Sequence, residues 1–293
     1  MLLRRTLVLA LLPAFVGAQD RTSTDLFTWS GKIVAGGTLG IKHFNGPLDV
    51  REGTGDRVEV RAERRSSRRG EDMTFKVENN SNGVTICSVW RDRNICDSDR
   101  GSWSSGGDNG PPSTKLTVLL PKGVRLEAST GNGAITVDRA SNDVELHTGN
   151  GDVRLTMTAG NVDVSSGNGD LEVDGATGPV RASTGNGRVY VTTSSGPVNV
   201  HTGNGAIDVR MKTITGSGDM SFTTGNGSVS VALPEGFNGE IDASTGHGDF
   251  RSDFEIRVLG RLNPRRVRGS IGTGSGRLIR MSTGNGSLEL RKS

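Results

Sequence analysis

The chain has 293 residues, of which 44 are glycine, and aromatic residues make up 4% of it. Its formal charge is +3 at pH 7, and taking away Arg4 and Arg5, which lie in an N-terminal targeting segment, leaves +1 for the rest. A nearly neutral chain is not expected to bind nucleic acid or anionic lipid through its overall charge. Two local basic runs, at residues 61–69 and 257–268, are interpreted as solvated loops.

Residues 1–18 are expected to form a secretory signal peptide. Arg4 and Arg5 precede an apolar stretch at residues 6–16, and small residues follow it. This is the pattern of a cleaved export signal, and the stretch is too short to span a bilayer; an uncleaved N-terminal anchor is the alternative. The sequence therefore predicts an exported protein of the periplasm or the bacterial cell surface, without an integral membrane segment after cleavage.

Residues 19–120 contain short stretches in which apolar and polar residues alternate, and the alternation predicts strands. A loop rich in Gly, Ser and Asp, residues 91–113, has no strand pattern. Cys87 and Cys96 are the only cysteines, and in an oxidising compartment they most simply form one structural disulfide. We interpret this region as the N-terminal part of the architecture that follows, with a loop tied by the disulfide.

Trp90 and Trp103 lie on either side of Cys96 and are the only candidate ligand contacts in the sequence. Aromatic rings commonly supply the flat surface on which a glycan packs, and the rest of the chain offers no other plausible pair of them. Packing of these two side chains in the core or in the loop is the competing interpretation.

The second half of the chain repeats the tetrapeptide Thr/Ser-Gly-Asn-Gly, and its first five copies are 18 residues apart. Each 18-residue unit contains two stretches of the form Gly-x-apolar-x-apolar, which predicts two short strands with one buried face. We therefore predict an all-β, parallel β-solenoid, of the β-helix or β-roll kind, over residues 121–293. The copies begin at Thr130, Thr148, Ser166, Thr184, Thr202, Thr224 and Thr283, with a variant at Thr245.

Antiparallel hairpins are the alternative, because Asn-Gly also favours the two-residue turn of a hairpin. Asn-Gly occurs only at every second corner, and the other corners have different residues, so the 18-residue unit is what repeats. In a solenoid each strand would pair with its equivalent in the next coil at about 4.8 Å.

The glycines and asparagines of the tetrapeptide are expected to form the turn at one corner of each coil. Such a turn needs positive φ, which Gly adopts freely and Asn tolerates better than other residues. Stacking would also place the asparagines in one column, where their amides can form hydrogen bonds. The structural turn residues are Gly131, Asn132, Gly133, Gly149, Asn150, Gly151, Gly167, Asn168, Gly169, Gly185, Asn186, Gly187, Gly203, Asn204 and Gly205.

After residue 209 the spacing loosens, and residues 251–270 interrupt the repeat as a long loop or an altered coil. The last tetrapeptide nearly reaches the C-terminus. Because an open solenoid end exposes strand edges and apolar core, a cap, a partner or a second copy of the chain is expected at the ends.

No residue set points to a cofactor, a metal or a catalytic site. Asp152 and Asp170 occupy equivalent positions in adjacent coils, where paired carboxylates could serve glycoside cleavage. The next residue of that column is Arg188, so a surface ladder is favoured over an active site. In a calcium-binding β-roll, the repeat position that holds an aspartate ligand would be aliphatic in this chain, so that motif is absent.

The four histidines do not suggest a metal site either. His147 and His201 share a column but are three coils apart, which is roughly 14 Å and too far to share one metal. His247 replaces the Asn of the variant tetrapeptide and is expected to fill the turn, and His43 lies outside the regular repeat.

The opening FTWSGKIVAGGTLGIKHFNGPLDV, the TGNG half-repeats and the closing GTGSGRLIRMSTGNGSLEL resemble the bacterial putative-adhesin family over about residues 27–290. The resemblance implies an envelope β-solenoid with a binding role and carries no catalytic motif over. We therefore predict a non-enzymatic exported envelope protein, an adhesin or scaffolding module with a rigid repeat surface. Its expected partner is an envelope protein or a glycan. The alternatives are a polysaccharide-cleaving enzyme on a parallel β-solenoid and a component that senses envelope stress.

Overall fold

The alternating stretches of the sequence form strands in a computed structural model, which describes residues 25–66, 73–91, 93–96, 110–215, 218–260, 263, 265–274 and 276–293. The expected signal peptide, Trp103 and most of the 91–113 loop lie outside the described residues. Regular structure in the described residues is entirely β-strand. No helix among them is long and apolar enough to cross a membrane.

Strands follow one another along the described chain, most of them joined by short connections. The first thirteen are β1 Asp25–Gly31, β2 Thr38–Asn45, β3 Leu48–Glu52, β4 Val58–Ser66, β5 Thr74–Asn80, β6 Gly83–Trp90, β7 Arg93–Asn94, β8 Ser113–Leu120, β9 Arg125–Asn132, β10 Ile135–Ala140, β11 Val144–Asn150, β12 Val153–Thr158 and β13 Val162–Asn168. The others are β14 Leu171–Ala176, β15 Val180–Asn186, β16 Val189–Thr193, β17 Val198–Asn204, β18 Ile207–Met211, β19 Met220–Asn226, β20 Val229–Leu233, β21 Gly239–His247, β22 Phe250–Ser252, β23 Ile256–Val258, β24 Arg266–Ile271, β25 Leu278–Asn285 and β26 Leu288–Lys292.

Two long sheets face each other, and each regular coil contributes one strand to each. The first sheet has the order β1-β4-β8-β3-β10-β12-β14-β16-β18-β20-β26-β22. The second has the order β23-β24-β21-β25-β19-β17-β15-β13-β11-β9-β2-β6-β5, with β7 paired to β6. Equivalent strands of successive coils are parallel and in register, as where Val153 pairs with Leu171. The parallel solenoid is thereby confirmed, and the hairpin alternative is excluded for the regular coils.

The core lies between the two sheets and consists of the inward residues of the alternating pattern. One coil shows the arrangement: Val144 and Leu146 come from the second sheet, Val153 and Leu155 from the first, and all four are buried. At about 25 cal/mol per Å² of apolar surface, this burial is the main stabilising contribution of each coil. The alternating apolar residues of these half-repeats, from Ile135 to Val209, are buried as the predicted pattern requires.

The spatial order of the coils differs from the chain order at both ends. Near the N-terminus, β2 and β3 pair directly with β9 and β10, which places His43 beside Thr130 and Asn45 beside Asn132. The expectation that His43 lies outside the repeat was therefore wrong, because it occupies the Thr position of a degenerate tetrapeptide. Near the C-terminus, β25 lies between β19 and β21, so the last tetrapeptide belongs to an internal coil.

Strands of the chain itself form the ends of both sheets; β1, β5 and β23 are antiparallel to their neighbours, whereas β22 pairs parallel with β26. At the C-terminal end, β24 runs antiparallel to β21 and β23 antiparallel to β24, so residues 251–270 add short strands to the stack. At the N-terminal end, β4, β1 and β5 are antiparallel to their neighbours. Because β22 and β23 have only three residues each, they offer little edge for another chain to extend.

At the Asn-Gly corner the glycines are required by close stacking as much as by backbone angle. Gly169 has φ +156, and a Cβ added there would lie 2.0 Å from the carbonyl oxygen of Gly151 in the coil below. Gly167 has no unusual φ, yet a Cβ there would lie 2.4 Å from the Gly149 oxygen. Backbone of adjacent coils therefore approaches too closely for any side chain.

The asparagines do not have the turn role that the sequence suggested. Positive φ at non-glycine residues in the described chain occurs at Arg91, Arg139 and Met157, and at no asparagine. The predicted amide column is present instead: Asn168 Nδ2 donates to Asn150 Oδ1 at 2.8 Å, and the pattern continues from coil to coil. The Asn forms this ladder, the second glycine of the tetrapeptide forms the turn, and both glycines allow the close approach of adjacent coils.

The first residue of the tetrapeptide points into the solenoid. Thr184 is 2% exposed, and its hydroxyl donates to the Gly169 carbonyl at 3.0 Å. The equivalent bonds at Thr148 and Thr202 have the same length. A buried hydroxyl needs such a partner, because leaving it unpaired costs about 1–3 kcal/mol. The sequence pattern did not indicate this inward direction.

Candidate functional site

The outer face of the second sheet carries a line of side chains that changes in charge from one end to the other. We call it the outer column; its members occupy equivalent outward positions in successive strands. In spatial order they are Glu127, Glu145, Asp163, Arg181, Asn199, Ser221, Arg280, Asp242 and Arg268. The strand spacing places consecutive members about 4.8 Å apart.

A shallow groove of about 490 Å³ runs along the acidic part of this column. Glu127, Glu145 and Asp163 line it together with Arg181, and the corner residues of the coils, including Pro179, form its wall. The groove exists because the corners rise beside the flat sheet, while the outward side chains stand on the sheet itself. Carboxylates from three adjacent coils make it an acidic concave surface.

The acidic side chains of the groove are only partly balanced by nearby cations. Arg125 bridges to Asp143 at the wall, with 3.6 Å between nitrogen and oxygen. Within the described residues, Glu127 and Asp163 make no ion pair, and Glu145 contacts only His147, at 2.8 Å from Oε1 to Nε2. Carboxylates aligned at one strand spacing repel each other, so a cationic group placed in the groove would be attracted.

Ser165, His147 and Glu145 form a hydrogen-bonded row across two adjacent strands. The order serine, histidine, carboxylate is that of a nucleophile with its base, and the sequence did not suggest it. A tetrahedral intermediate also needs preorganised backbone donors, and the amides of β11 and β13 are engaged in the ladder on both sides. His147 and Glu145 are about half exposed, so we interpret the row as a surface hydrogen-bond chain.

The carboxylates of Asp152 and Asp170 are used within the corner. Asp152 accepts a hydrogen bond from the Asp170 amide at 2.8 Å, and Asp170 accepts one from the Arg188 amide at 2.7 Å. The Arg188 guanidinium also binds Asp170, and the backbone hydrogen bond followed by this contact lowers the Asp170 pKa. The column therefore has the hydrogen bonds of the surface ladder that the sequence favoured.

Trp90 lies in a small second core with Phe44, Met73, Cys87 and Ile95. It is 5% exposed, and the Arg91 guanidinium covers its ring at 4.4 Å from the centroid. The ring is therefore engaged in packing, which is the competing interpretation of this residue, and its face is closed to a glycan. Trp103, the other half of the candidate pair, lies outside the described residues.

The disulfide joins Cys87 to Cys96 and ties β6 to the segment that follows β7. The Lys42 ammonium donates to the Cys96 carbonyl at 3.1 Å, so the bridged segment is also held to β2. In the part of the chain that the structure describes, no three His, Cys, Asp or Glu side chains are grouped so as to hold a metal ion.

Sequence reasoning did not find the groove, because the outer column changes identity from coil to coil while the tetrapeptide stays constant. The signal was present in the outward position of each half-repeat in the second sheet. Glu127, Glu145 and Asp163 occupy that position in three successive 18-residue units. Aligning the units and comparing their outward residues would have found the acidic run.

Comparison with known proteins connects the chain to one family. The sequence profile described as Toastrack DUF4097 matches residues 39–290, which is most of the chain. No curated protein matches this chain.

Two solved structures show a general likeness. A putative cell adhesion protein from Clostridium sporogenes is 12% identical with a TM-score of 0.27, and covers 91% of this chain and 99% of its own. A putative adhesin from Bacteroides fragilis is 13% identical with a TM-score of 0.39, and covers 90% of this chain and 96% of its own. At these values the likeness carries no argument about function.

Proposed function

The chain belongs to the Toastrack DUF4097 family, and on that premise we propose that it is a non-enzymatic, exported binding module of the cell envelope. Its contact surface is the outer face of the second sheet, which the solenoid holds rigid. The role is adhesion or scaffolding, in which a regular surface is presented to an envelope partner.

The observation that carries this proposal is the separation of charge along the outer column. Three carboxylates, Glu127, Glu145 and Asp163, stand together in the groove, while the guanidiniums of Arg268 and Arg280 lie at the other end. On the outer face of the first sheet, by contrast, opposite charges neutralise each other locally, as in the pair Arg154–Glu172 at 3.0 Å. On the second sheet, Glu127, Asp163 and Arg280 make no ion pair within the described residues, and such charges attract a complementary partner and direct its approach.

Two features support export. The disulfide between Cys87 and Cys96 is of the kind that persists in oxidising compartments. The N-terminal pattern of two arginines, an apolar stretch and small residues is that of a secretory signal. Together they favour the periplasm or the cell surface.

The chemistry of the described residues supports a binding role over an enzymatic one. The Asp152 and Asp170 carboxylates accept backbone hydrogen bonds, so both are engaged within the corner. The Ser165 hydroxyl has a base beside it but no set of free donors for an oxyanion.

The test is retention of the purified chain, residues 19–293, on envelope fractions from its own cells. We expect the wild type to be retained and the triple variant Glu127→Gln, Glu145→Gln, Asp163→Asn to lose about tenfold in retention. The matched control, Glu172→Gln with Asp208→Asn, changes carboxylates on the first sheet and should bind as the wild type does. Equal retention of the triple variant, or release of reducing ends from an acidic glycan by the wild type, would overturn the proposal.

A further inference from the structure

We propose that the outer face of the second sheet docks against the same face of a second copy of the chain, with the two stacks running in opposite directions. The inference rests on the proposed function, because it names the partner of the same contact surface. The dimer would be symmetric, with one patch used twice.

When one copy is turned end for end, the basic end of its face meets the acidic end of the same face on the other copy. Glu127, Glu145 and Asp163 put three negative charges at the end nearer the N-terminal cap. At the other end the outward residues of the paired strands are Arg257, Arg266, Arg268 and Arg280 with Glu240 and Asp242, so four guanidiniums and two carboxylates leave a net charge of +2. Asp242 bridges to Arg268 at 3.1 Å, whereas Arg280 has no ion pair in the described residues.

The spacing of the two charged groups defines the symmetry axis. Glu127 on β9 and Arg268 on β24 are eight strand steps apart, which is about 38 Å at 4.8 Å per step. Asp163 on β13 and Arg280 on β25 are four steps apart and have the same midpoint. The midpoint is β17, which carries Asn199 and His201 on this face. A two-fold axis parallel to the strands and passing over β17 brings the acidic end of each copy over the basic end of the other. Asp242, which this axis places opposite Glu145, is bridged to Arg268.

The competing two-fold axis, parallel to the stack, would put like charges together. Glu145 would then face Glu145 of the other copy, and Arg280 would face Arg280. Like charges in contact across an interface cost several kcal/mol, so the charge order selects the reversed arrangement. The acidic groove gives the long arginine side chains of the partner a concave surface to enter.

The centre of the face is suited to close approach. Around β17 most outward residues are short and polar, and three of them carry a hydroxyl group; Arg181 is the charged exception beside Asn199. The polar residues are Ser183, Asn199, His201, Ser221 and Thr223. From β9 to β24 the face spans eight strand steps, about 38 Å, and the five residues that precede the Gly-Asn corner of a strand extend about 16 Å. That gives about 600 Å² per copy and about 1,200 Å² in total, the lower end of the range for specific interfaces. A reversible dimer is therefore expected.

The first sheet has no comparable surface. Arg154 pairs with Glu172, and Arg210 lies 3.5 Å from Asp208 and also covers the Tyr190 ring at 5.7 Å. In these pairs opposite charges lie on one strand or on adjacent strands, so they neutralise each other locally. The two faces thus provide an internal control.

The test is a charge exchange followed by sedimentation equilibrium. The basic variant carries Glu127→Lys and Glu145→Lys, and the acidic variant carries Arg268→Glu and Arg280→Glu. We expect wild-type dimerisation to weaken about tenfold between about 0.05 M and about 0.5 M NaCl, because exposed charges are screened. Each variant alone should be monomeric, and an equimolar mixture should form a heterodimer. The control Glu172→Lys with Asp208→Lys should dimerise as the wild type does.

A cross-link tests the axis separately. His201→Cys places a thiol close to the proposed axis, and both native cysteines are joined in the disulfide. A short bismaleimide should join two copies of this variant, and should not join copies of Tyr190→Cys, whose thiol lies on the first sheet. A wild type that is monomeric at about 0.1 mM in low salt, or variants that fail to associate when mixed, would overturn the dimer. If the dimer is overturned but retention on envelope fractions still depends on the acidic residues, the proposed function is still supported.

Discussion

The regular coils in the middle of the stack and the N-terminal end are held together in different ways. In the middle, every coil makes the same contacts: a buried Thr or Ser hydroxyl to a Gly carbonyl, an Asn amide to the next Asn, and glycine backbone against glycine backbone. At the N-terminal end the contacts occur once each. His43 bonds to Ser88 and Thr114, and the disulfide ties β6 to the segment after β7.

The difference separates two kinds of change: loss of one repeated contact in the middle coils should cost little, whereas an added atom that clashes with the coil below should cost much. A repeated contact spreads its contribution over many coils, and the stability of such arrays is nearly a sum of coil and neighbour terms. A contact that occurs once has no substitute, so the N-terminal end depends on the His43 hydrogen bonds and on the disulfide. Four changes, the most destabilising first, test that contrast.

Gly169→Ala should cause the largest loss, in the middle of the stack. The added Cβ would lie 2.0 Å from the Gly151 carbonyl oxygen, at a backbone φ of +156 that side chains rarely adopt. We expect the free energy of unfolding to fall by roughly 3–5 kcal/mol, measured by urea denaturation. Gly236→Ala is the matched control, because nothing lies within 4 Å of its added Cβ. Similar losses in the two variants would contradict the stacking argument.

Acid should weaken the N-terminal end through His43. Burial lowers the pKa of this fully buried side chain to about 4, whereas the unfolded chain takes up the proton near pH 6.5. The unfolded state therefore binds more protons between these values, and about 3 kcal/mol of stability, complete above pH 6.5, is lost as the pH falls to about 4.

The measurement is the free energy of unfolding against pH for the wild type and for His43→Gln. The variant cannot take up a proton at this position, so between pH 6.5 and about 4 its free energy of unfolding should fall by about 3 kcal/mol less than that of the wild type. A slope that His43→Gln leaves unchanged would show that other groups cause the acid sensitivity.

Removing the disulfide should have a smaller and local effect. Cys87→Ala with Cys96→Ala releases a loop closed over a sequence separation of nine, which contributes about 2–3 kcal/mol. Hydrogen exchange should accelerate in β5, β6 and β7 and stay slow in the coils from β11 to β18. Faster exchange across the whole stack would mean that the end and the middle unfold as one unit.

Asn168→Ala should have the smallest effect, because it removes one step of a repeated ladder. Asn168 donates to Asn150 and accepts from Asn186, both at 2.8 Å, at an exposed corner. We expect a loss of about 1 kcal/mol in thermal or urea unfolding. Asn199→Ala, an asparagine of the same coils outside the ladder, should change stability by less than about 0.5 kcal/mol.

Local patterns in the sequence were sufficient to predict the coil. The 18-residue period and the alternation within each half-repeat placed the inward residues, since side-chain direction in a strand follows from position alone. The Asn column followed from the same period, and the disulfide from the presence of two cysteines. The role of each tetrapeptide residue could not be predicted from the sequence alone. The close stacking of the glycines and the inward direction of the threonine depend on contacts with the coil below.

The order of the coils and the candidate site depend on long-range strand pairing. The repeat was enough to show that coils stack, but not that β25 lies between β19 and β21 or that His43 stands beside Thr130, because those pairings join segments far apart in the chain. The charge separation depends on the same order: Arg280 comes next to Asp242 only through the placement of β25. Such pairing has no local signal, since any strand with the right alternation can pair with any other.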